Sequence, residues 1–164
     1  MAQNAFGNPS GDFFKLTEGI IEKGVEASRT SSRKRMIYPV QRTQEAKVQR
    51  LLNLMQPGTY IRPHQHPMPY ATESIVLLKG AIRFFTFDEY GGIITDDKLT
   101  SQPIPDLVDI EPGTWHSFLV LEQDTIIFEC KKGPYNADTD KKFAPWSPGE
   151  GDSKAIEFMN NLDT

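Results

Sequence analysis

From residue 36 onward the chain consists of short hydrophobic runs in which apolar and polar residues alternate. The clearest runs cover residues 48–55, 59–64, 73–79, 81–88, 108–110, 116–121 and 125–131. Successive side chains of a strand point to opposite faces, so each run predicts a β-strand with one buried face. Turn-forming residues separate the runs at 56–58, 89–92 and 111–113. Roughly seven to nine short antiparallel strands predict an all-β sandwich or barrel.

The segments on either side of this β-region have a different character. Before it, apolar residues recur at helical spacing between residues 14 and 27, which predicts a short amphipathic helix. After it, a strap rich in proline and aromatic residues at 143–148 precedes a helix-like segment at 153–161. We expect one domain overall, with a tail and short helix at 1–35, the β-barrel at 36–132, and a strap and helix at 133–164.

All three histidines of the chain lie in or beside predicted strands. His64 and His66 are two residues apart. In a strand they would project to the same side, with their Cβ atoms about 6.6 Å apart. His116 follows a proline-glycine turn at the start of another run. A lone histidine on a strand is more often a hydrogen-bonded or surface residue than a ligand. Imidazole is nevertheless a frequent ligand of transition metals, and the placement of all three histidines predicts that they share one metal ion.

This pattern resembles the two metal-site motifs of the cupins. The first cupin motif is a glycine, five residues, His-x-His, a spacer, a glutamate, six residues and a glycine, and it is matched by Gly58, His64, His66, Glu73 and Gly80. The second is matched in part, by Pro112, Gly113 and His116. The resemblance implies a double-stranded β-helix, or jelly-roll barrel. It also implies one bound divalent transition metal, which could be Zn, Fe, Mn or Ni, with Glu73 as a fourth ligand.

Two departures from the cupin pattern matter. Six residues separate His66 from Glu73, more than is usual in cupins, so Glu73 either completes the metal site or lies too far from it. Val120 stands where many cupins have an asparagine, and this predicts an apolar barrel wall at that position.

The sequence around the motifs is similar to that of the WbuC family of cupin-fold metalloproteins. The similarity spans about residues 16–150 and is carried by the segments 48–53, 57–64, 87–89, 128–135 and 143–148. Members of that family are small bacterial proteins, often encoded among genes for O-antigen and other surface-polysaccharide or lipopolysaccharide biosynthesis. The resemblance implies a sugar or sugar-nucleotide ligand, and His64, His66, His116 and Glu73 as the metal ligands.

Strand alternation predicts which other side chains line the pocket. If His64 and His66 face inward, Tyr60 and Arg62 do so too. Arg62 is then a candidate for binding an anionic substrate group, the alternative being a pair with a structural carboxylate at the barrel mouth.

Two residues are candidates for moving a proton, and two for stacking on a sugar. Tyr60 and Glu129 are the acid–base candidates, although alternation also allows Glu129 to face away from the barrel interior. Tyr135 and Trp146, both in the strap region at 133–148, are the sugar-stacking candidates, with anchoring in the core as their alternative role.

These residues support two classes of function. The first is a metalloenzyme for a sugar or sugar nucleotide, such as an isomerase or epimerase, in which the metal polarises an oxygen while a base moves a proton. The second is a non-catalytic, metal-dependent saccharide-binding or regulatory module. Oxygen-dependent chemistry at iron is a further enzymatic alternative.

The charge balance argues against some partners. With 18 basic and 22 acidic residues the net charge is −4, which is unfavourable for general binding to nucleic acid or to an anionic membrane. The sequence contains neither an apolar run of about 18 residues nor a signal segment, so we expect a cytoplasmic protein with a small-molecule ligand. Cupins commonly pair through strand edges, which leaves a homodimer open as an alternative to a monomer.

Overall fold

The structure, a computed structural model, describes residues 4–163. Residues 1–3 of the predicted tail, and Thr164 at the end of the predicted C-terminal segment, lie outside the described residues. The elements in chain order are α1 (Glu18–Thr30), β1 (Arg35–Pro39), β2 (Val48–Met55), β3 (His64–Gln65), β4 (Glu73–Lys79), β5 (Ala81–Phe87), β6 (Ile93–Thr100), β7 (Leu107–Ile110), β8 (Trp115–Val120), β9 (Thr125–Lys132), β10 (Lys142–Phe143) and α2 (Lys154–Leu162).

The strands form two antiparallel sheets of five strands each. The first has the order β1-β2-β9-β4-β7 and the second the order β10-β3-β8-β5-β6. With two short helices and two packed sheets, the chain has the all-β architecture that the alternating runs predict. Neither helix within residues 4–163 has the length and apolar character needed to cross a membrane.

The space between the sheets is apolar at one end and polar at the other. On β4 the inward face carries Leu77 and Ile75 and then Glu73, and on β9 it carries Ile127 and then Glu129. Because alternate residues share a face, each of these strands continues from the hydrophobic core into a line of polar side chains. The core cluster includes Met55, Ile75, Leu77, Ile82, Phe84, Phe118, Val120 and Ile127. The functional groups therefore lie at the polar end, against a rigid apolar base.

Helix α1 packs on the outer face of the first sheet. Val25 lies in one buried cluster with Leu52 and Leu54 of β2, and Phe14 and Leu16 pack against the same cluster. The sequence predicts helix over 14–27, but the helix begins at Glu18 because Thr17 has an extended backbone. Phe14 and Leu16 thus contribute to the apolar contact without being helical.

Several strand predictions need correction. The run at 59–64 is not a strand, because only His64–Gln65 pairs with a neighbour, and Pro63 has no backbone N–H to donate to a ladder. Strands β1, β6 and β10 are not among the predicted runs. β6 contains the polar sequence Thr95-Asp96-Asp97-Lys98 and lies at the edge of its sheet, so it shows little of the alternation that burial produces.

Two glycines of the cupin-like motifs have backbone conformations that explain their presence. Gly80 joins β4 to β5 with φ +81°, and a Cβ atom there would lie 2.3 Å from Oγ1 of Thr125. Gly113, also with φ +81°, forms the turn before β8. Side chains are disfavoured in this left-handed region, so these positions favour glycine.

Candidate metal centre

Four buried side chains converge at the polar end of the barrel. They are His64 on β3, His66 just after it, His116 on β8 and Glu73 at the start of β4, and one potential ligand atom from each lies within 4.8 Å of all the others. His64 and His116 belong to the second sheet, His66 directly follows its strand β3, and Glu73 belongs to the first sheet, so this cluster bridges the two sheets.

The longer loop between His66 and Glu73 does not move the carboxylate out of reach. Glu73 pairs with Ile110 on one side and with Lys131 on the other, as part of the first sheet. The sheet therefore sets its position, and the extra residues are accommodated in the exposed turn at 67–70.

Hydrogen bonds to backbone carbonyls fix the orientation of all three imidazoles. Nδ1 of His64 lies 2.9 Å from the carbonyl oxygen of Arg62, and Nδ1 of His116 lies 2.9 Å from that of Thr114. Nδ1 of His66 lies 2.5 Å from the carbonyl oxygen of Asp140. A carbonyl only accepts, so each Nδ1 carries the proton and each Nε2 offers a lone pair in the neutral ring. This arrangement is typical of histidines that bind metals.

The Nε2 atoms and Glu73 form a site with room for a cation. Oε2 of Glu73 is 3.0 Å from Nε2 of His116 and 3.2 Å from Nε2 of His66, contacts that require a shared proton or metal ion. Nε2 of His64 is buried and has no hydrogen-bond partner among residues 4–163. A buried lone pair without a partner is costly, and coordination to a metal would satisfy it. The residues present therefore fit a metal ion.

The electrostatics of the cluster keep its groups in the forms that bind metal. Burial alone would raise the pKa of Glu73, but hydrogen bonds through a proton shared with His116 and His66 hold this pKa well below its usual range. Burial lowers the pKa of His64 well below its usual range, and the nearby charge of Lys141 lowers it further. Glu73 is thus a carboxylate and His64 a neutral imidazole. Three imidazole nitrogens and one carboxylate oxygen are compatible with Zn, Fe, Mn or Ni and leave coordination positions open for a ligand.

A cavity of about 550 Å³ leads to this cluster. His64, Glu73 and His116 form part of its wall, and apolar contacts come from side chains such as Ile61, Ile75 and Phe118. Its lining is rich in charge, with five cationic and four acidic side chains: Arg33, Arg35, Arg62, Lys131, Lys141, Glu73, Glu129, Asp140 and Glu150.

Glu129 faces the interior and belongs to a network of charged groups. Its Oε2 accepts a hydrogen bond from Nδ2 of Asn53 at 3.0 Å, and its Oε1 lies 3.4 Å from Nζ of Lys131. Nζ of Lys131 also donates to Oδ2 of Asp140 at 2.8 Å. Burial raises the pKa of Glu129, and the negative charge of Glu73 raises it further. Of the two orientations that alternation allows for Glu129, the structure has the inward one.

Tyr60, a predicted acid–base candidate, lies away from the cavity. Its hydroxyl donates to the carbonyl oxygen of Pro148 at 2.8 Å, and its ring packs at 6.2 Å from that of Phe158. Burial raises the pKa of Tyr60 to about 12. The predicted inward position is not found because residues 59–63 are not a strand, so the alternation does not extend from His64 back to Tyr60.

Arg62 lines the cavity, and its Nε and Nη2 atoms donate to residues 144 and 147 of the strap. Nε donates to Oγ of Ser147 at 3.1 Å, and Nη2 donates to the carbonyl oxygens of Ala144 and Ser147 at 3.2 Å each. Its guanidinium also lies 4.9 Å from the ring of Phe143. The pair with a structural carboxylate is not found among residues 4–163, because the partners of Arg62 are carbonyls and a hydroxyl, and the binding of an anionic substrate group stays a prediction.

The two predicted stacking residues are in different places. Tyr135 lies at the cavity wall and is half-exposed. Trp146 does not line the cavity and packs against Phe87 at 5.1 Å and Phe158 at 6.2 Å, in the cluster between the second sheet and α2. The geometry of Trp146 matches its alternative role as an anchor.

The charged residues of the site that sequence reasoning missed include Lys131, Asp140 and Lys141. Lys131 could have been found, because it lies two residues from Glu129 on the same strand and therefore shares its face. Asp140 and Lys141 lie in an irregular segment, where no periodicity indicates direction.

Comparisons with known proteins support the fold. A family model described as Domain of unknown function (DUF6016) matches residues 16–99. A search of curated proteins finds no match. An uncharacterized conserved protein with a double-stranded β-helix domain from Klebsiella pneumoniae is similar in structure, with a TM-score of 0.56, 17% identity, and coverage of 82% of this chain and 98% of that one.

Two further solved structures are also similar. The capsular polysaccharide assembling protein CapF from Staphylococcus aureus has a TM-score of 0.54 and 16% identity, over 65% of this chain and 29% of that one. Oxalate decarboxylase from Bacillus subtilis has a TM-score of 0.48 and 18% identity over 60% of this chain, which spans only 24% of that protein. The neighbours are cupin-fold proteins, and the prediction of a double-stranded β-helix is confirmed.

Proposed function

The chain belongs to the family described as Domain of unknown function (DUF6016), and we propose that it is a cupin metalloprotein that binds and acts on a sugar or sugar nucleotide. One observation carries the proposal: three imidazole Nε2 atoms and the Glu73 carboxylate face one centre in a ligand-sized cavity. Its volume of about 550 Å³ lies within the range typical of small-molecule sites. The resemblance to the WbuC family supports a role in O-antigen or other surface-polysaccharide biosynthesis as part of this proposal.

The proposed chemistry is a proton transfer to or from the ligand by a residue of this chain, as in an isomerase or epimerase. His64, His66, His116 and Glu73 would hold the metal, which when bound would polarise a carbonyl or hydroxyl of the ligand. Glu129 is the acid–base candidate that lines the cavity, and Asn53 and Lys131 hold its carboxylate in place. We therefore assign the proton transfer to Glu129 and not to Tyr60.

A binding module without turnover is the second candidate, and one observation favours it. Of the two acid–base candidates in the sequence, only Glu129 reaches the cavity. The fixed contacts of its carboxylate would also suit a structural role. In this case the same metal and cavity would bind a saccharide without converting it.

Metal content tests the first step of the proposal. The protein is purified from cells grown with Zn, Fe, Mn and Ni, and bound metal is measured by elemental mass spectrometry. We expect the wild type to hold one metal ion and the double variant H64A/H66A to lose most of it. Gln65→Ala is the matched control, because Gln65 lies between the two histidines and its side chain points to the other face of the strand. Undiminished metal in the double variant would overturn the proposal.

Ligand screening tests the second step. Sugar nucleotides are screened for thermal stabilisation of the metal-loaded and the chelator-treated protein, and products are sought by mass spectrometry in air and without oxygen. Metal-dependent stabilisation with a product that Glu129→Gln abolishes would support the isomerase or epimerase. Stabilisation without product under both conditions would favour the binding module, and a product formed only in air would indicate oxygen-dependent chemistry at iron.

A further inference from the structure

Lys141 lies between two residues whose backbones contact or pair with histidines of the candidate metal centre. The carbonyl oxygen of Asp140 contacts Nδ1 of His66 at 2.5 Å, and on the other side Phe143 pairs with His64 between β10 and β3. Lys141 and Phe143 both line the cavity. Lys142, between them, points elsewhere, with its Nζ 5.8 Å from the ring centroid of Trp115. The backbone thus fixes Lys141 toward the ligand space.

The other cations of the cavity are occupied by protein partners. Lys131 is paired with Asp140 and Glu129. Arg33 and Arg35 both contact Glu150, and Nε and Nη2 of Arg62 donate to the strap. Within residues 4–163, Nζ of Lys141 has no hydrogen bond or ion pair, although the negative charges of Glu129, Glu73 and Asp140 act on it from beyond ion-pair distance.

No carboxylate among the described residues pairs directly with the Lys141 ammonium. Burial lowers the pKa of Lys141 and the positive charge of Lys131 lowers it further, against the negative charges of Glu129, Glu73 and Asp140, which raise it. Removing a charge from water is costly unless an opposite charge compensates it. A metal ion in the neighbouring centre would add to the positive field at Lys141, so an anion in the cavity would offset part of this charge.

We infer that the Lys141 ammonium binds an anionic group, a carboxylate or a phosphate, on the ligand that the metal centre holds. This inference rests on the proposed function and narrows the ligand class to sugar acids and sugar phosphates, including sugar nucleotides. A neutral saccharide would leave Lys141 without its partner. Lys141 is thus a binding residue that determines specificity for charge.

The experiment compares three probes on zinc-loaded protein by calorimetry: glucuronate, glucose 1-phosphate and glucose. Zinc content is measured first for every variant. We expect the wild type to bind at least one anionic probe more tightly than glucose, and Lys141→Met to weaken that binding by about tenfold or more, the usual effect of losing a charge-assisted hydrogen bond. Lys141→Arg should retain part of the affinity, because it keeps the charge. Lys142→Met, the matched control, should change it by less than about twofold.

The outcomes separate this inference from the proposed function. Lys141→Met should hold as much zinc as the wild type, because its loss removes a charge that repels the metal. If the wild type holds zinc but binds neither anionic probe more tightly than glucose, the role of Lys141 is overturned and the proposed metal centre is not affected. Unchanged anion affinity in Lys141→Met overturns it as well. A wild type that holds no metal overturns both, and the two anionic probes show whether the group is a carboxylate or a phosphate.

Discussion

His64 and His116 lie directly opposite each other on the antiparallel strands β3 and β8, with their ring centroids 4.4 Å apart. Each ring has its Nδ1 at 2.9 Å from the carbonyl oxygen two residues earlier in its own chain segment, at Arg62 and at Thr114. The backbone therefore fixes the orientation of both imidazole rings, and the site is preorganised for a metal ion. Glu73 meets them from the other sheet, so a metal bound here would link the two sheets.

This link predicts that metal removal destabilises the fold. A metal that binds the folded chain at 100 times its dissociation constant stabilises it by about 2.7 kcal/mol. We expect a chelator to lower the Tm of the wild type by several degrees in calorimetry, and zinc or another divalent metal to restore it. H64A/H66A serves as the control and should respond to neither reagent. A wild-type Tm that is the same with saturating metal and with chelator would contradict the prediction.

Replacing Glu73, the candidate carboxylate ligand, should weaken metal binding while a polar side chain of the same size stays in the pocket. Glu73→Gln keeps the size of the side chain but removes the negative charge that faces His66 and His116. Residues that merely support ligands change metal affinity by about 10–100-fold, so we expect at least a tenfold loss in a competition titration. Glu111→Gln, at an exposed turn before β8, is the control and should bind metal as the wild type does. Equal affinity in Glu73→Gln would show that only the histidines act as ligands.

The sequence predicts the metal cluster better than it predicts the cavity around it. His64, His66, Glu73 and His116 lie in strands or directly beside them, where period-two alternation and the sheet determine direction. Strand alternation also predicts Tyr60 beside them, but the chain before His64 is irregular and Pro63 interrupts the strand.

The strap shows the same limitation. Nothing in the order of residues between 133 and 148 indicates that Lys141 faces the cavity or that Trp146 packs on Phe87 and α2. Their positions result from long-range contacts, and these are not encoded in any local periodicity. Glu129 is intermediate, because alternation defines its face relative to Ile127 but not which face of β9 is inside.

Two glycines of α1 should respond in opposite ways to replacement by alanine. At Gly24 a Cβ atom would lie 2.7 Å from Cδ2 of Leu54, which is only 1% exposed and has little room to move. At Gly19 a Cβ atom would meet nothing within 4 Å. Alanine gains up to about 1 kcal/mol over glycine within a helix, whereas overpacking a buried contact costs about 1–3 kcal/mol.

Chemical denaturation should therefore show that Gly19→Ala is neutral or more stable than the wild type and that Gly24→Ala is less stable. Equal stabilisation by both substitutions would mean that the contact of α1 with β2 is looser than the structure indicates.

The ion pairs of Glu150 predict part of the acid sensitivity of the fold. Arg33 and Arg35 both donate to this carboxylate, and Arg35 is buried and also donates to the carbonyl oxygen of Tyr60 at 2.7 Å. Burial would raise the pKa of Glu150, but the hydrogen bond from Arg33 and the charge of Arg35 outweigh it and lower this pKa. The carboxylate of Glu150 therefore takes up a proton at a higher pH in the unfolded chain than in the folded chain. The contribution of Glu150 to stability is present above its usual pKa of about 4.5 and is lost as the pH falls through the lower value of the folded state.

Glu150→Gln should accordingly reduce the free energy of unfolding at pH 7 and have little effect at pH values below the folded-state pKa. Denaturation curves measured across this pH range for wild type and variant test the prediction, with the exposed Glu89→Gln as a control that should show no such convergence. If the loss in free energy of unfolding of Glu150→Gln stays constant from pH 7 into the acid range, the variant has lost packing and not charge. The two ion pairs of Glu150 would then not be the source of the acid sensitivity.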